Sequence, residues 1–209
     1  MDEKILIVDD SPFIVDGLVA ILKRKGYRPI PAHGGDECLS FLQSDIPDLI
    51  LLDIMMEPMD GWETLDRIKA NPALRDIPVL MFSAKKITPA EAQEHSMNID
   101  DFISKPVNPS QLLESIQRVF FLRNDLKMKA LVAQDAGIDE ATIHEYMELR
   151  KSIEVDRNLL AVLKNSSGMN TPGRVVPGED LISIQKLEEK IAVDEQRLRE
   201  INEQFAKVI

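Results

Sequence analysis

Five short apolar runs, each stopped by a polar residue and each followed by a helical pattern, fill the first 120 residues. They leave few folds open. The central run is Pro47-Asp48-Leu49-Ile50-Leu51-Leu52-Asp53, which leads into Ile54-Met55-Met56-Glu57-Pro58-Met59-Asp60-Gly61. A continuous apolar run of this length, bounded by turn formers, reads as a strand buried on both faces of a parallel sheet. The others are Lys4–Val8 stopped by Asp9-Asp10, a short strand near Arg28–Pro31, Ile77–Phe82 stopped by Ser83-Ala84, and Asp101–Ser104 followed by Lys105-Pro106.

Helical signals alternate with these runs. Ser11-Pro12 pairs an N-cap residue with a proline at the first helical position, and Gly26 fits the stop. A helix of about ten residues follows Gly34-Gly35, carrying Cys38, Leu39, Phe41 and Leu42. Asp60-Gly61 opens a third helix that gives way at Asn71-Pro72. Thr88-Pro89-Ala90-Glu91 is a capping-box pattern for a fourth, and Asn108-Pro109 starts a fifth. Strand–helix alternation with short right-handed crossovers predicts a doubly wound parallel sheet of five strands, an α/β fold. In such sheets the strand ends line a functional crevice. The positions that follow the runs are Asp9, Asp10, Asp53, Ser83 and Lys105.

Carboxylates converging at one sheet edge repel each other unless a cation lies between them. All-oxygen ligands suit a hard cation, and few protein ligands suit Mg²⁺ better than Ca²⁺. A hydroxyl and an ammonium beside them are donors for an anion. The combination describes phosphoryl transfer, with Asp53 as the nucleophile that becomes an acyl phosphate.

Asp9-Asp10 after Ile-Leu-Ile-Val, Asp53 before a Met/Pro/Asp-Gly loop, Ser83-Ala84 and Lys105-Pro106 together resemble the receiver domain of two-component response regulators, over residues 1–122. The resemblance implies a flavodoxin-like sheet of strand order 2-1-3-4-5 and a chemotaxis-regulator-like protein. It implies that Asp53 accepts a phosphoryl group from the phosphohistidine of a sensor histidine kinase. Asp10 and the Met55 carbonyl would ligate Mg²⁺ (Mn²⁺ as a substitute) together with Asp53, and Asp9 would act on it through water. Lys105 would pair with the phosphoryl group, Ser83 would move to hydrogen-bond it, and Phe102 would be the aromatic switch. The Lys105–Pro106 bond is usually cis in the family. Two departures stand out: Glu57 occupies the usual position of the loop proline, with Pro58 one later, and the switch residue is Phe rather than Tyr.

The last 90 residues differ in character. Residues 1–120 carry 12 Lys and Arg against 20 Asp and Glu, net −8, whereas residues 121–209 carry 13 against 16, net −3. No basic stripe precedes a recognition helix, which argues against nucleic acid as a partner. The fifth helix is expected to run on as a stalk over 123–137, followed by an antiparallel helical hairpin over 138–209 with a mobile loop at 165–178. Heptad spacing places Tyr146, Leu149, Ile153, Asp156, Leu160 and Leu163 on one seam. Ile184, Leu187, Ile191, Asp194, Leu198, Ile201, Phe205 and Val208 form the other. Antiparallel pairing sets Tyr146 against Phe205, Ile153 against Leu198 and Asp156 against Asp194. Two carboxylates in one layer must be protonated, solvated or paired with Arg157, Lys190 or Arg197; a solvated gap is the favoured reading, and a register pin or a partner's docking point is the alternative.

The remaining signals favour plain roles. Cys38, the single cysteine, reads as a small buried residue, and Met55, Met56, Met59 and Met81 as adaptable packing. His33, His95 and His144 have no metal-site spacing, and His144-Glu145 lacks the ATP-binding segment of a kinase. The net charge of −11 does not suit anionic membranes, no apolar run reaches a membrane span, and Met-Asp-Glu-Lys is no secretory signal. A cytoplasmic location is therefore expected. The sequence reads as a signalling protein whose only chemistry is self-catalysed phosphoryl transfer and acyl-phosphate hydrolysis. Its tail would act through an unidentified protein target, with homodimerisation through the fourth-helix/fifth-helix face or the tail left open. A DNA-binding transcription regulator and a phosphorelay carrier with a scaffold tail are the alternatives.

Overall fold

The computed structural model describes residues 2–84, 88, 91, 95–167, 169 and 178–206. Strands β1 (Lys4–Val8), β2 (Arg28–Ala32), β3 (Leu49–Asp53), β4 (Val79–Ser83) and β5 (Asp101–Ser104) form one parallel sheet of order β2-β1-β3-β4-β5. This is the expected doubly wound topology. Residues Ile5–Val8 of β1 and Leu49–Leu52 of β3 have no exposed surface, as the unbroken apolar runs require of strands covered on both faces. β2 is an edge strand, which is where Pro29 and Pro31 remove donors at little cost to the ladder.

Register follows from these pairings. Val8 lies beside Leu52, and Asp53 beside Phe82. The first residue past β1 and the last of β3 therefore reach the same edge of the sheet. Helix α1 (Pro12–Arg24) starts from Ser11, whose backbone is extended but whose hydroxyl makes no cap bond; Gly26 takes φ 86° at its end. Helix α2 (Gly35–Leu42) is two residues shorter than about ten. Helix α3 (Gly61–Ala70) is capped by Asp60, whose Oδ1 accepts the Glu63 N–H at 2.8 Å. Most of the helix expected from Thr88 lies outside the described residues. At its start, the Thr88 N–H donates to Glu91 Oε2 at 2.8 Å and the Glu91 N–H to Thr88 Oγ1 at 3.2 Å, the reciprocal bonds of a capping box.

The chain divides into two units, Met1–Lys86 with Asn98–Leu113 and Ile87–Met97 with Glu114–Ile209. Helix α4 runs unbroken over Pro109–Asp135, so the fifth helix does continue past Arg123. Gly137, with φ 81°, lies two residues past its end, and Asp139 caps α5 (Glu140–Ser167) by accepting the Thr142 N–H at 2.9 Å. Helix α6 covers Gly178–Phe205. Helix α5 thus extends three residues past Lys164, into the segment expected to be a mobile loop; residues 168 and 170–177 lie outside the described residues, as does Val208.

The hairpin register is the expected one. The Tyr146 and Phe205 ring centroids lie 5.1 Å apart, and cross-helix ion pairs join Lys164 to Glu188 (2.6 Å), Arg157 to Glu195 (2.7 Å) and Arg197 to Glu145 (2.6 Å). Leu126 and Ala133 of α4 close the same core as Ile143, Tyr146, Ile201 and Phe205. The solvated gap is not found. Asp156 is fully buried, and its Oδ2 receives the Lys190 ammonium, while Lys190 Nζ also donates to Ser152 Oγ at 2.7 Å. The Ser152 hydroxyl lies 3.3 Å from Asp156 Oδ2 and 3.4 Å from Asp194 Oδ2. Lys190 is the partner that makes the two-carboxylate layer tolerable; Arg157 and Arg197 are engaged by glutamates instead.

Candidate functional site

The site is built at the carboxyl ends of β1, β3 and β5. Asp9 is fully buried because it directly follows β1, an interior strand covered on both faces. Its Oδ1 accepts the Ser11 N–H at 2.8 Å and its Oδ2 accepts the Lys105 ammonium at 2.7 Å. Asp10, one residue later, is exposed; its Oδ2 accepts the Glu57 N–H at 3.2 Å. Asp53 closes β3 and is 2% exposed, with Oδ2 2.9 Å from Lys105 Nζ. One ammonium therefore bridges two buried carboxylates. It also stands 4.8 Å from the centroid of the Phe82 ring, whose face favours a cation.

Oxygens of Asp9, Asp10 and Asp53 all lie within 4.8 Å of one another. Among the described residues, three carboxylates face one ammonium there. Asp53 Oδ1 is buried without a hydrogen-bond partner among the described residues. Burial, the largest influence, lifts the Asp53 carboxyl above the ordinary carboxylate range; the Lys105 hydrogen bond and charge pull it down, and the neighbouring Asp9 lifts it further. An acidic, oxygen-only set with an unsatisfied buried oxygen fits a hard divalent cation.

The remaining predicted residues are placed as follows. Ser83 ends β4 and is buried, and its carbonyl accepts the Lys105 N–H at 2.7 Å, tying the ends of β4 and β5 together. Phe102 lies within β5 opposite Met81 and is 2% exposed, so its ring is inside the protein. The Met55 side chain is exposed. Lys105–Pro106 is cis. His33 and His144 are exposed, and His144 lies 3.6 Å from Glu148. Met56, Met59 and Met81 are core residues, as is Cys38.

Two features escaped the sequence reading. The first is how the unusual loop closes: the Glu57–Pro58 bond is cis, and Glu57 contributes its backbone N–H to Asp10. The displaced proline was the signal, since a proline at position 57 would have no N–H to give. The second is Gly61. A Cβ there would stand 2.1 Å from the Asp53 carbonyl oxygen and 2.7 Å from Ile54 Cα, so α3 approaches the end of β3 as closely as backbone allows. Its N–H donates to the Ile54 carbonyl at 2.9 Å.

Comparison with known proteins bears on the same residues. Residues 5–117 match the response regulator receiver domain family, and residues 122–208 match a separate family described as metanogen output domain 2. The response regulator GtcR of Aneurinibacillus migulanus is 34% identical over 146 residues, which is 68% of this chain and 59% of that protein. The phosphate regulon transcriptional regulatory protein PhoB of Escherichia coli (strain K12) is 27% identical over 183 residues, 88% of this chain and 79% of that protein. The chemotaxis protein CheY4 of Vibrio cholerae superposes with a TM-score of 0.54 at 31% identity, covering 57% of this chain and 99% of CheY4. A CheY-like receiver domain protein from Methanospirillum hungatei gives 0.51 at 31% identity, covering 56% and 93%. With its sheet order, its acidic cluster and a family match spanning more than half of its length, the chain belongs to the response regulators and carries their receiver domain.

Proposed function

We propose that this protein is a phosphorylation-switched response regulator, with a receiver over 1–122, a stalk over 123–137 and a helical hairpin over 138–209 as its output. The observation that carries the reading is the Lys105 ammonium set 2.7 Å from Asp9 and 2.9 Å from Asp53, while Asp53 Oδ1 has no partner among the described residues. Asp53 is the acceptor. One of its oxygens attacks the phosphorus of a sensor kinase's phosphohistidine, the P–O bond forms as the P–N bond breaks, and the imidazole leaves. Asp10, Asp53 and the Met55 carbonyl would hold Mg²⁺, with Asp9 acting through water. That ion supplies charge neutralisation for the phosphoryl oxygens. Lys105 keeps the acceptor carboxylate oriented before transfer and pairs with the phosphoryl group after it.

Transfer adds about −1.5 to −2 charge to a buried position. Ser83 and Phe102 are the residues that respond, Ser83 by hydrogen-bonding the new group and Phe102 by repacking. The chain's fifth helix carries the change toward the tail, whose output is contact with another protein. Hydrogen exchange of residues 114–206 with and without beryllofluoride and Mg²⁺ tests this. Altered protection in the tail supports the switch, and an unchanged tail alongside a protected Asp53 loop contradicts it.

A second reading is a DNA-binding transcription regulator. The alignment to PhoB, named a transcriptional regulatory protein, favours it because it runs beyond the receiver into the tail. The tail's net −3 charge counts against it. A gel shift at low salt separates the two.

A further inference from the structure

The three carboxylates of the acidic cluster are not held alike. Asp9 and Asp53 are buried and meet the Lys105 ammonium at 2.7 and 2.9 Å, so their orientations are set at the sheet edge. Asp10 is exposed, and an exposed side chain keeps its rotamer freedom unless something holds it. What meets its Oδ2 is the Glu57 backbone N–H, at 3.2 Å. This contact joins the end of β1 to the connection between β3 and α3, 47 residues later in the chain.

That donor stands on a fixed loop. The Ile54 N–H donates to the Phe82 carbonyl at 3.1 Å, and the Gly61 N–H closes the loop onto the Ile54 carbonyl at 2.9 Å. Met56 and Met59, on either side of Glu57-Pro58, are buried, so they anchor the apex while the Glu57 side chain is left exposed. A backbone amide held in this way is ordered by folding, and orienting Asp10 with it costs nothing further when an ion binds. The Glu57 carboxylate differs, because its charge is exposed to solvent and screened.

We propose that Glu57 is a positioning residue for the divalent cation, acting through its backbone N–H: it orients the Asp10 carboxylate so that the ion meets a ligand already in place. The inference deepens the proposed function, since it rests on a divalent ion at the acidic cluster. Removing the hydrogen-bond partner of a ligating group weakens metal affinity about 10- to 100-fold. A 3.2 Å bond to an exposed carboxylate belongs at the low end, so the expected loss is about tenfold.

Titration of the full-length, unphosphorylated protein with Mg²⁺ alone, followed by the backbone amide resonances of Asp10 and Ile54, gives the dissociation constant. Exchanging two residues, Glu57→Pro with Pro58→Glu, keeps composition and net charge but removes the N–H, and raises that constant about tenfold. An ester in place of the Met56–Glu57 amide removes the same N–H with every side chain retained, and gives the same loss whatever path the exchanged loop takes. Glu57→Gln keeps the N–H and, its lost charge being screened, stays within about threefold of the parent. In the parent the carboxylate acceptor shifts the Glu57 amide proton downfield, and Asp10→Ala moves it upfield; a loop that only braces the fold would leave that resonance in place. Parent-like Mg²⁺ affinity in the ester variant, a Glu57→Gln loss as large as that of the exchange, or an unmoved Glu57 amide in Asp10→Ala overturns the proposal. A parent protein that binds no Mg²⁺ overturns the metal reading of the cluster as well, which separates the two failures.

Discussion

Replacing Lys190 by Met should cost the tail far more than replacing the carboxylate it serves. Asp156 is fully buried, its Oδ1 has no partner, and its Oδ2 depends on the Lys190 ammonium and the Ser152 hydroxyl. Lys190→Met leaves an anion with one weak donor in the seam, and breaking a buried pair from one side costs about 3–5 kcal/mol. The Lys190 side chain is 35% exposed, so solvent screens its end of the pair and the expected cost is nearer about 2–3 kcal/mol. Asp156→Leu has the opposite outlook. It removes the orphaned oxygen and leaves Lys190 with Asp194 at 3.4 Å, so the effect is neutral or a gain of about 1 kcal/mol. The double variant should return to within about 1 kcal/mol of the parent, a coupling of about 2 kcal/mol or more. Urea unfolding followed by circular dichroism measures all three. A Lys190→Met cost below about 0.5 kcal/mol, the size of an ordinary surface change, would refute the reasoning. So would an Asp156→Leu cost equal to that of Lys190→Met.

Gly61→Ala should destabilise the receiver by about 1–3 kcal/mol, because the added methyl meets backbone rather than a flexible side chain; thermal unfolding reads it, and slower phosphoryl uptake should accompany it as the end of β3 shifts. Asp139→Ala should lower the melting temperature of the tail at pH 7. The Thr142 hydroxyl and N–H hold the Asp139 carboxyl below its ordinary value, so its contribution is complete above the unfolded value and drains away as pH falls through the lower folded one. The gap between parent and variant should therefore close on acidification, and a gap that is constant from pH 7 to pH 3 would contradict the assignment.

Much of this fold was legible because its strands are unambiguous. Ile5–Val8 and Leu49–Leu52 are unbroken apolar runs that only a doubly covered sheet accommodates, and the residues that stop them land at one edge. The tail register was legible for a similar reason, since one polar layer in each heptad pattern allows only one alignment. Other features depend on atoms that periodicity does not encode. Glu57 acts through its backbone N–H, Gly61 through the absence of a side chain, and Asp156 through a lysine one turn before Asp194. The extra turn of α5 beyond Lys164 was missed because Asn165-Ser166-Ser167 reads as turn-forming on local propensity, which tertiary packing overrides.

The most direct test of the central claim is the intact mass after incubation with acetyl phosphate and Mg²⁺, mapped by peptide. A single phosphoryl group on Asp53, absent from Asp53→Ala and reduced in Lys105→Ala, is the predicted result. Phosphoryl incorporation that persists in Asp53→Ala, or none in the parent protein, would contradict it.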